Sequence, residues 1–487
     1  MNRTLLIERV MDETRLAVIE EGQLMELYVQ RPDAENLTGN IYLGRVERVL
    51  PGMNAAFVDL GLEKRGFLAA EDASTSASAR EGLPIDKLLR PGQEVLCQVV
   101  KAGYGSKGPR LTCSVTLPGR RMALLGGVRS VGVSKKIGDA DERERLHGIG
   151  TALMGEGGSG LILRTAAEGA SEELLGEEYA RLIERWHALR NTAEHASAPK
   201  LLHDDNALYL RAIRDKLGPR VDALWADGEA LYRQMIDAAS TLAGEWRNRI
   251  KLHTAETPLF DLWRVDAQAD KALQKYVWLK SGGSLVIEET EALTVVDVNT
   301  GKNVGKHDAQ DTIYKLNCEA AVELLRQLRL RDIGGIVVVD FIDMKSEAQK
   351  QALLDLLGEL AKNDDTRVNI AGITQLGLVE LTRKKERQSL SRQLLHICSD
   401  CGGNGKVPSH ETTARRLVHD MWRRRRSGDA SPLLIEADAK VYGWVKTIGA
   451  PPGGPTYARA KVGMAAGDYA ISPVDEAALP PNTVKLI

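Results

Sequence analysis

Thr294-Val295-Val296-Asp297-Val298-Asn299-Thr300-Gly301 and Gly334-Gly335-Ile336-Val337-Val338-Val339-Asp340-Phe341-Ile342-Asp343-Met344 are β-branched runs bounded by glycine, the pattern of buried strands. Side chains alternate faces along a strand, so Asp297 and Asn299 emerge on one side while Val296 and Val298 pack on the other. Asp340 follows an unbroken apolar run, where a bare buried carboxylate is costly unless paired or metal-bound. Between the two runs, Asp308 to Leu330 reads as a helix: Ile313, Leu316, Ala320, Leu324 and Leu328 recur at helical spacing, with Glu319, Glu323 and Arg326 on other faces. Strand, helix and strand can bring Asp297 and Asp340 to one end of a sheet. Two carboxylates with the amide oxygen of Asn299 beside them make a hard oxygen site suited to Mg²⁺, completed by water and substrate phosphate. The alternative makes Asp297 a turn cap and Asp340 a cap of the next helix.

The whole chain bounds that reading. At 487 residues it is too long for one ordinary domain, so three or more units are expected, and 43% hydrophobic with 27% charged residues fits a soluble globular protein with a substantial core. No run reaches the length of a membrane span, and the amino terminus lacks a signal-peptide core, so a cytoplasmic protein is expected. A net charge of −2 does not advertise nucleic-acid binding, although a global balance can hide local basic surfaces. Five scattered cysteines argue against a disulfide scaffold.

Toward the amino terminus, Leu5 to Arg31 reads as a small β-meander that needs a later partner to bury its face. Gly39 to Leu117 shows short strands with glycine punctuation, a small closed barrel of the OB type, interrupted by a Ser/Ala-rich loop between Glu71 and Gly92. Phe57 and Phe67, two of four phenylalanines, are either barrel core or a stacking platform for single-stranded bases with Lys107 beside it for phosphate. Gly160 to Thr165 is an apolar strand ending in Arg164-Thr165, a guanidinium fork and a hydroxyl that suit a terminal phosphate monoester; an ordinary surface pair is the alternative. Leu174, Leu175, Leu182, Ile183, Trp186 and Leu189 form the apolar side of a helix, and residues 191–204 resemble a linker. Asp205 to Leu217 and Gly228 to His253 read as helices whose Arg211, Arg214, Lys216, Arg247 and Arg249 occupy solvated faces. Beyond the central unit, a helix is expected near Ser346–Leu360, a strand near Arg367–Gly372, and a basic helix start at Leu381 to Lys385.

Cys398-Ser399-Asp400-Cys401-Gly402-Gly403-Asn404-Gly405 is a tight turn offering two thiolates to one metal. Structural Zn²⁺ takes a full tetrahedral set, which two chains meeting at a twofold axis would supply, making the site a dimer contact as well. A redox pair normally begins a helix, whereas glycines follow here; a turn with incidental cysteines is the other reading. The last part, His410 to Ile487, opens with a basic helix whose Arg423 to Arg426 either touch RNA or lie at a subunit surface.

The segments TVVDVNTG, LRQLRLRDIGG and VVVDFIDM resemble those of the bacterial ribonuclease E/G endoribonucleases, and the likeness runs from about Met1 to Val407. The resemblance implies an α+β multidomain fold, with an RNase H-like subdomain from residues 1–35 and 205–275 and an inserted OB-fold RNA-binding domain at 36–118. It further implies a 5′-sensor region at 119–204, a DNase I-like catalytic subdomain at 276–394, a zinc link at 395–408 and a small C-terminal domain at 409–487. It implies Mg²⁺-dependent cleavage of single-stranded RNA, such as ribosomal precursors and messenger RNA, leaving a 3′-hydroxyl and a 5′-phosphate, with Asp297, Asn299 and Asp340 catalytic. Phe57, Phe67 and Lys107 would hold the strand; Arg164, Thr165 and Met122 would read a 5′-monophosphate. Cys398 and Cys401 would share a zinc with a second chain in a homodimer, with a tetramer open, although Ser399 stands where the family has proline. The absence of a long charged tail that gathers degradosome partners points to the short, ribonuclease G side of the family. The rival from another class is a non-catalytic RNA-binding protein whose acidic site is structural. A third reading, a metal-dependent phosphatase acting on small phosphate esters, leaves the barrel and its aromatics without a job.

Overall fold

The computed structural model describes residues 3–31, 37–73, 83–101, 103, 107–205, 207–242, 244–301, 309–465 and 467–487. Residues 74–82 of the Ser/Ala-rich loop and Asp308, the expected first residue of the central helix, lie outside the described residues. The chain is mixed α+β and forms two compact units, Met1–Ser391 and Arg392–Ile487.

In the first unit, the hairpin strands Arg3–Val10, Glu13–Glu20 and Gln23–Gln30 share a five-stranded sheet with Val221–Asp227 and Ile250–His253. Arg3–Val10 runs parallel to Val221–Asp227 with Leu5 opposite Leu224. Leu5, Leu6 and Ile7 are all fully buried, as expected of a strand covered on both faces. Ile250–His253 is thus a strand and not the tail of a helix: the helix stops at Leu242, and the later segment pairs along Leu224–Asp227. Residues 191–204 are not a linker either. The helix Glu172–Glu194 takes the first of them, and Lys200–His203 pairs antiparallel with the barrel strand Ile41–Leu50.

The barrel closes on itself. Ile41–Leu50, Ala55–Asp59, Gly66–Ala69, Arg110–Thr112 and Glu94–Lys101 pair in turn, and the last returns to the first, leaving no open edge among these five, consistent with an OB fold. A four-stranded sheet of Thr116–Pro118, Met122–Leu125, Gly160–Leu163 and Val131–Val133 follows, packed against Leu175, Leu182 and Trp186 of the long helix.

The central sheet has six strands in the order Tyr276–Trp278, Ser284–Glu289, Leu293–Asn299, Gly335–Asp340, Val379–Arg383 and Val368–Ile373. Leu293–Asn299 and Gly335–Asp340 run parallel, joined by the helix Ala309–Leu330. Leu316, Ala320, Leu324 and Leu328 of that helix bury Val296, Val298, Val337 and Val339, with Leu353 and Leu357 of the helix Glu347–Ala361 joining them. Among the described residues, only one face is covered. Leu381 to Arg383 end a strand and do not open a helix; Arg383 is buried between Asp332 and Asp364, at 2.8 Å from each.

A buried set of charges ties the amino-terminal sheet to the central one. Arg329 reaches Glu20 at 3.1 Å and Glu26 at 2.8 Å, and Lys216 reaches Glu26 at 2.7 Å and Asp365 at 2.8 Å. Arg214 lies buried on Asp205 and Asp215. Arg249 donates to the carbonyls of Gly218, Pro219 and Val221. Arg214, Lys216 and Arg249 therefore do not form a solvated face, and the partners of Lys216 sit on distant segments that only the fold assembles.

The second unit places Leu433–Ala437 between Thr456–Ala460, which runs parallel to it, and the antiparallel Tyr469–Pro473, with Val484–Lys485 on the far side of Thr456–Ala460. The helix His410–Arg426 contributes Ala414, Leu417 and Met421 to its core. Arg425 turns inward to the carbonyls of Asp429, Ser431 and Pro455, so only the flanking arginines of that run face solvent.

Burial alone would raise the Glu26 carboxyl, but Lys216 and Arg329 outweigh it and hold it well below the usual carboxylate range. A depressed folded-state pKa contributes stability that is present above the unfolded value, about 4.3, and lost as pH falls through the folded one. Glu26→Gln is expected to destabilise the protein by about 3 kcal/mol at neutral pH, since it removes the carboxylate shared by two buried cations. It should also flatten the acid limb of stability below about pH 4. Denaturant titration across pH checks both outcomes.

Candidate active site and nucleic-acid interface

Strand alternation decides which side chains reach the open face. Asp297, Asn299 and Asp340 are exposed there, whereas Val296, Val298, Val337 and Val339 point into the core. The desolvation cost expected for Asp340 does not arise, because the strand delivers its last side chain to the uncovered side. Asp297 and Asp340 are direct register partners on neighbouring parallel strands. Asn299 Nδ2 donates to Asp297 Oδ2 at 2.8 Å, which fixes the carboxylate's rotation and leaves the amide oxygen of Asn299 free to accept from other donors.

Two contacts hold this end of the sheet, and neither was read from the sequence. Asn317, fully buried in the crossover helix, accepts from the Ile342 amide at 3.1 Å and donates to the Ile342 carbonyl at 2.8 Å. That clamp sets where the chain goes directly after Asp340. Its signal was legible in principle: a lone amide between Ile313 and Ala320 on the apolar stripe of the helix. At the other strand, Gly301 turns with φ 64°, and a Cβ there would stand 2.1 Å from the Gly282 carbonyl oxygen. Only glycine lets the backbone leave Asn299 so closely beside the Gly282-Gly283 turn.

Carboxylates in directly opposed register positions repel, and a divalent cation between them relieves that repulsion. Among the described residues, no cluster of three or more His, Cys, Asp or Glu side chains suited to a metal is present. A pair of carboxylates with an amide fits an ion such as Mg²⁺, which keeps several waters and shares substrate phosphates.

On the barrel, Phe57 and Phe67 are cross-strand partners with ring centroids 6.1 Å apart at 68°. Both are half-buried and alternate with the fully buried Ala56, Val58 and Leu68, so they lie on the outer face of the barrel and not in its core. Arg48 pairs with Phe57 and Arg110 with Phe67, giving a row of cation, ring, ring, cation across four strands. Arg48 was not singled out in the sequence; a cation in the strand before Phe57 was its only sign. Lys107 is exposed just ahead of Pro109, whose carbonyl accepts the Phe67 amide at 2.7 Å.

Arg164 ends its strand half-buried, donating to the Gly119 carbonyl at 2.7 Å and to Asp215 Oδ1 at 2.8 Å. Burial would raise Asp215, but Arg214 and Arg164 hold it below the usual carboxylate range, so it stays charged and aims the fork. Thr165 is exposed with Oγ1 3.2 Å from Ser134 Oγ. These groups line a cleft of about 950 Å³ with Lys136, Arg214 and Lys216. Met122 lies beneath it: its side chain is fully buried opposite Leu163, its carbonyl accepts from Gly119, and its amide donates to Glu178.

In the second unit, Cys398 and Cys401 are free thiols on a turn closed by Gly402 N–H to the Cys398 carbonyl at 2.9 Å. The Gly405 amide donates to Cys401 Sγ at 3.3 Å. Backbone N–H groups of Gly405 and Gly403 hold the Cys401 thiol below its ordinary range, while burial pushes Cys97 up and Cys113 up to about 12. The turn therefore favours the thiolate, the form a metal takes.

No described helix is long and apolar enough to cross a membrane. The ribonuclease E/G family profile matches residues 116–386. Ribonuclease G of Escherichia coli strain K12 is 38% identical over 449 residues, 91% of this chain and 92% of that protein. Ribonuclease G of Haemophilus influenzae is 37% identical, covering 86% of this chain and 87% of its own. Ribonuclease E of Nostoc sp. is 40% identical over 80% of this chain but only 57% of the longer relative. With a family profile matched over more than half its length and relatives aligned almost end to end, the chain belongs to the ribonuclease E/G family.

Proposed function

We propose that this endoribonuclease cuts single-stranded RNA with the help of Mg²⁺ at the open end of the central sheet, in ribosomal RNA processing and messenger RNA decay in the cytoplasm. The observation that carries the reading is the register pairing of Asp297 with Asp340 on an uncovered face, with Asn299 bonded to one of them. Asp297 and Asp340 would hold the ion, and the bound ion would supply Lewis acidity and charge neutralisation at the scissile phosphate. Asn299 orients Asp297 and offers its oxygen to the attacking water or the substrate. Phe57, Phe67 and Lys107, with Arg48, bind the strand through stacking and phosphate contacts. The products carry a 3′-hydroxyl and a 5′-phosphate.

Arg164 and Thr165 form the reader of a 5′-monophosphate. The Gly119 carbonyl and Asp215 fix the fork, and the exposed Thr165 hydroxyl supplies a second donor. Met122 contributes by supporting this floor from the core. The Cys398–Cys401 turns of two chains would share one zinc, giving a homodimer that further contacts could pair into a tetramer.

Asp297→Asn or Asp340→Asn is expected to lower kcat on single-stranded RNA by about 100-fold or more, and Asn299→Ala by about 10-fold or more. EDTA should abolish cleavage and Mg²⁺ restore it; a non-catalytic RNA-binding protein would lose nothing in either experiment. Arg164→Gln should reduce kcat/KM on 5′-monophosphorylated RNA by about 10- to 100-fold and leave the triphosphorylated substrate nearly unchanged. Equal rates of the native protein on the two RNAs would rule out the phosphate reader. Metal analysis should find about one zinc per two chains, and Cys398→Ser should release it and halve the mass seen by light scattering.

A further inference from the structure

The central sheet carries a second pair of large rings that the reading above leaves without work. Tyr276 and Trp278, on the edge strand, are 54% and 74% exposed, while Val277 between them is buried. Register fixes what they face. Tyr276 pairs with Val286, Val286 with Asp297, and Asp297 with Asp340. Trp278 pairs with Ser284, and Ser284 with Asn299. Register partners share a face, so both rings stand on the uncovered face, in the same cross-strand rows as the acidic pair and its amide.

We infer that Trp278 and Tyr276 form a stacking platform for a base of single-stranded RNA flanking the scissile phosphate. The inference rests on the reading of Asp297 and Asp340 as the cleavage site. Two strand spacings separate each ring from its row partner, roughly 10 Å, the reach of a neighbouring nucleotide's base and too far for the scissile phosphate itself. Exposed tryptophan is among the costliest surfaces to leave in water, and a base offers a flat apolar face of matching size. Lys280, exposed two residues beyond Trp278, adds a cation on the path of the backbone. The barrel shows the same device on its outer face, where Phe57 and Phe67 are flanked by Arg48 and Arg110. The two platforms lie on different sheets of the first unit, so a strand can be gripped at the cut and away from it.

Fluorescence anisotropy of a labelled single-stranded oligoribonucleotide tests the assignment, with Asp297→Asn as the cleavage-silent background. Trp278→Ala is expected to raise Kd by about 10-fold, Trp278→Phe to restore most of the affinity, and Trp278→Leu to restore little, since bulk without a ring cannot stack. An unchanged Kd in Trp278→Ala, or equal binding by the Leu and Phe variants, overturns the proposal. So does a change in protomer number by light scattering for Trp278→Ala, which would make the rings a contact between copies. Failure of Asp297→Asn to stop cleavage would instead strike the cleavage-site reading, because the anisotropy result reports binding alone.

Discussion

Two neighbouring strands that run the same way cannot be joined by a tight turn, and this chain meets that requirement with the 22-residue helix Ala309–Leu330. The helix has one covered face to offer, so Leu316, Leu324 and Leu328 bury one side of Leu293–Asn299 and Gly335–Asp340 and leave the other side uncovered. The geometry of the candidate site follows from that asymmetry. The alternation that sends Val296 and Val339 into the core sends Asp297, Asn299 and Asp340 outward, and parallel register sets the two aspartates opposite each other. Asn317 then uses the same helix to pin the segment that leaves Asp340.

Patterns of short period were legible in the chain. The alternation around Asp297, the helical spacing from Ile313 to Leu328 and the glycine-punctuated barrel are all local, and each lies where its residues place it. The buried charges were not, because nothing near Lys216 in the chain announces Glu26, 190 residues earlier, and Arg329 meets Glu20 across 309 residues. A lysine or arginine next to polar neighbours looks like a solvated face until the fold supplies its partner. Short strands failed for a related reason: Ile250–His253 and Lys200–His203 hold four residues each, too few to show a period against their helical surroundings. Phe57 and Phe67 were ambiguous because small apolar neighbours, Ala56 and Val58, fit either face of a barrel strand. Only the closed ladder shows which face is inside.

The grip on RNA and the chemistry on it use different physical means. In the proposed function, rings on outer sheet faces such as Phe57 and Phe67 would take bases without regard to sequence, and cations beside them would follow the backbone. The Arg164 fork is different: Gly119 and Asp215 already hold it, so a phosphate bound there, as proposed, would cost little ordering entropy. On that proposal the phosphate reader would be stiff, while the stacking surfaces would tolerate many bases.

The joint formed by Glu20, Glu26, Lys216 and Arg329 has side chains no more than 13% exposed, out of reach of counterions. Arg48, Lys107 and Lys280 stand in solvent, where mobile ions would compete with any phosphate contact they make. Ionic strength would therefore act on this molecule selectively: brine would strip RNA bound as proposed from its surface while the seam between its two main sheets stays shut. The concentration of salt becomes a clean experimental dial for occupancy, turned without loosening the scaffold that carries the aspartates.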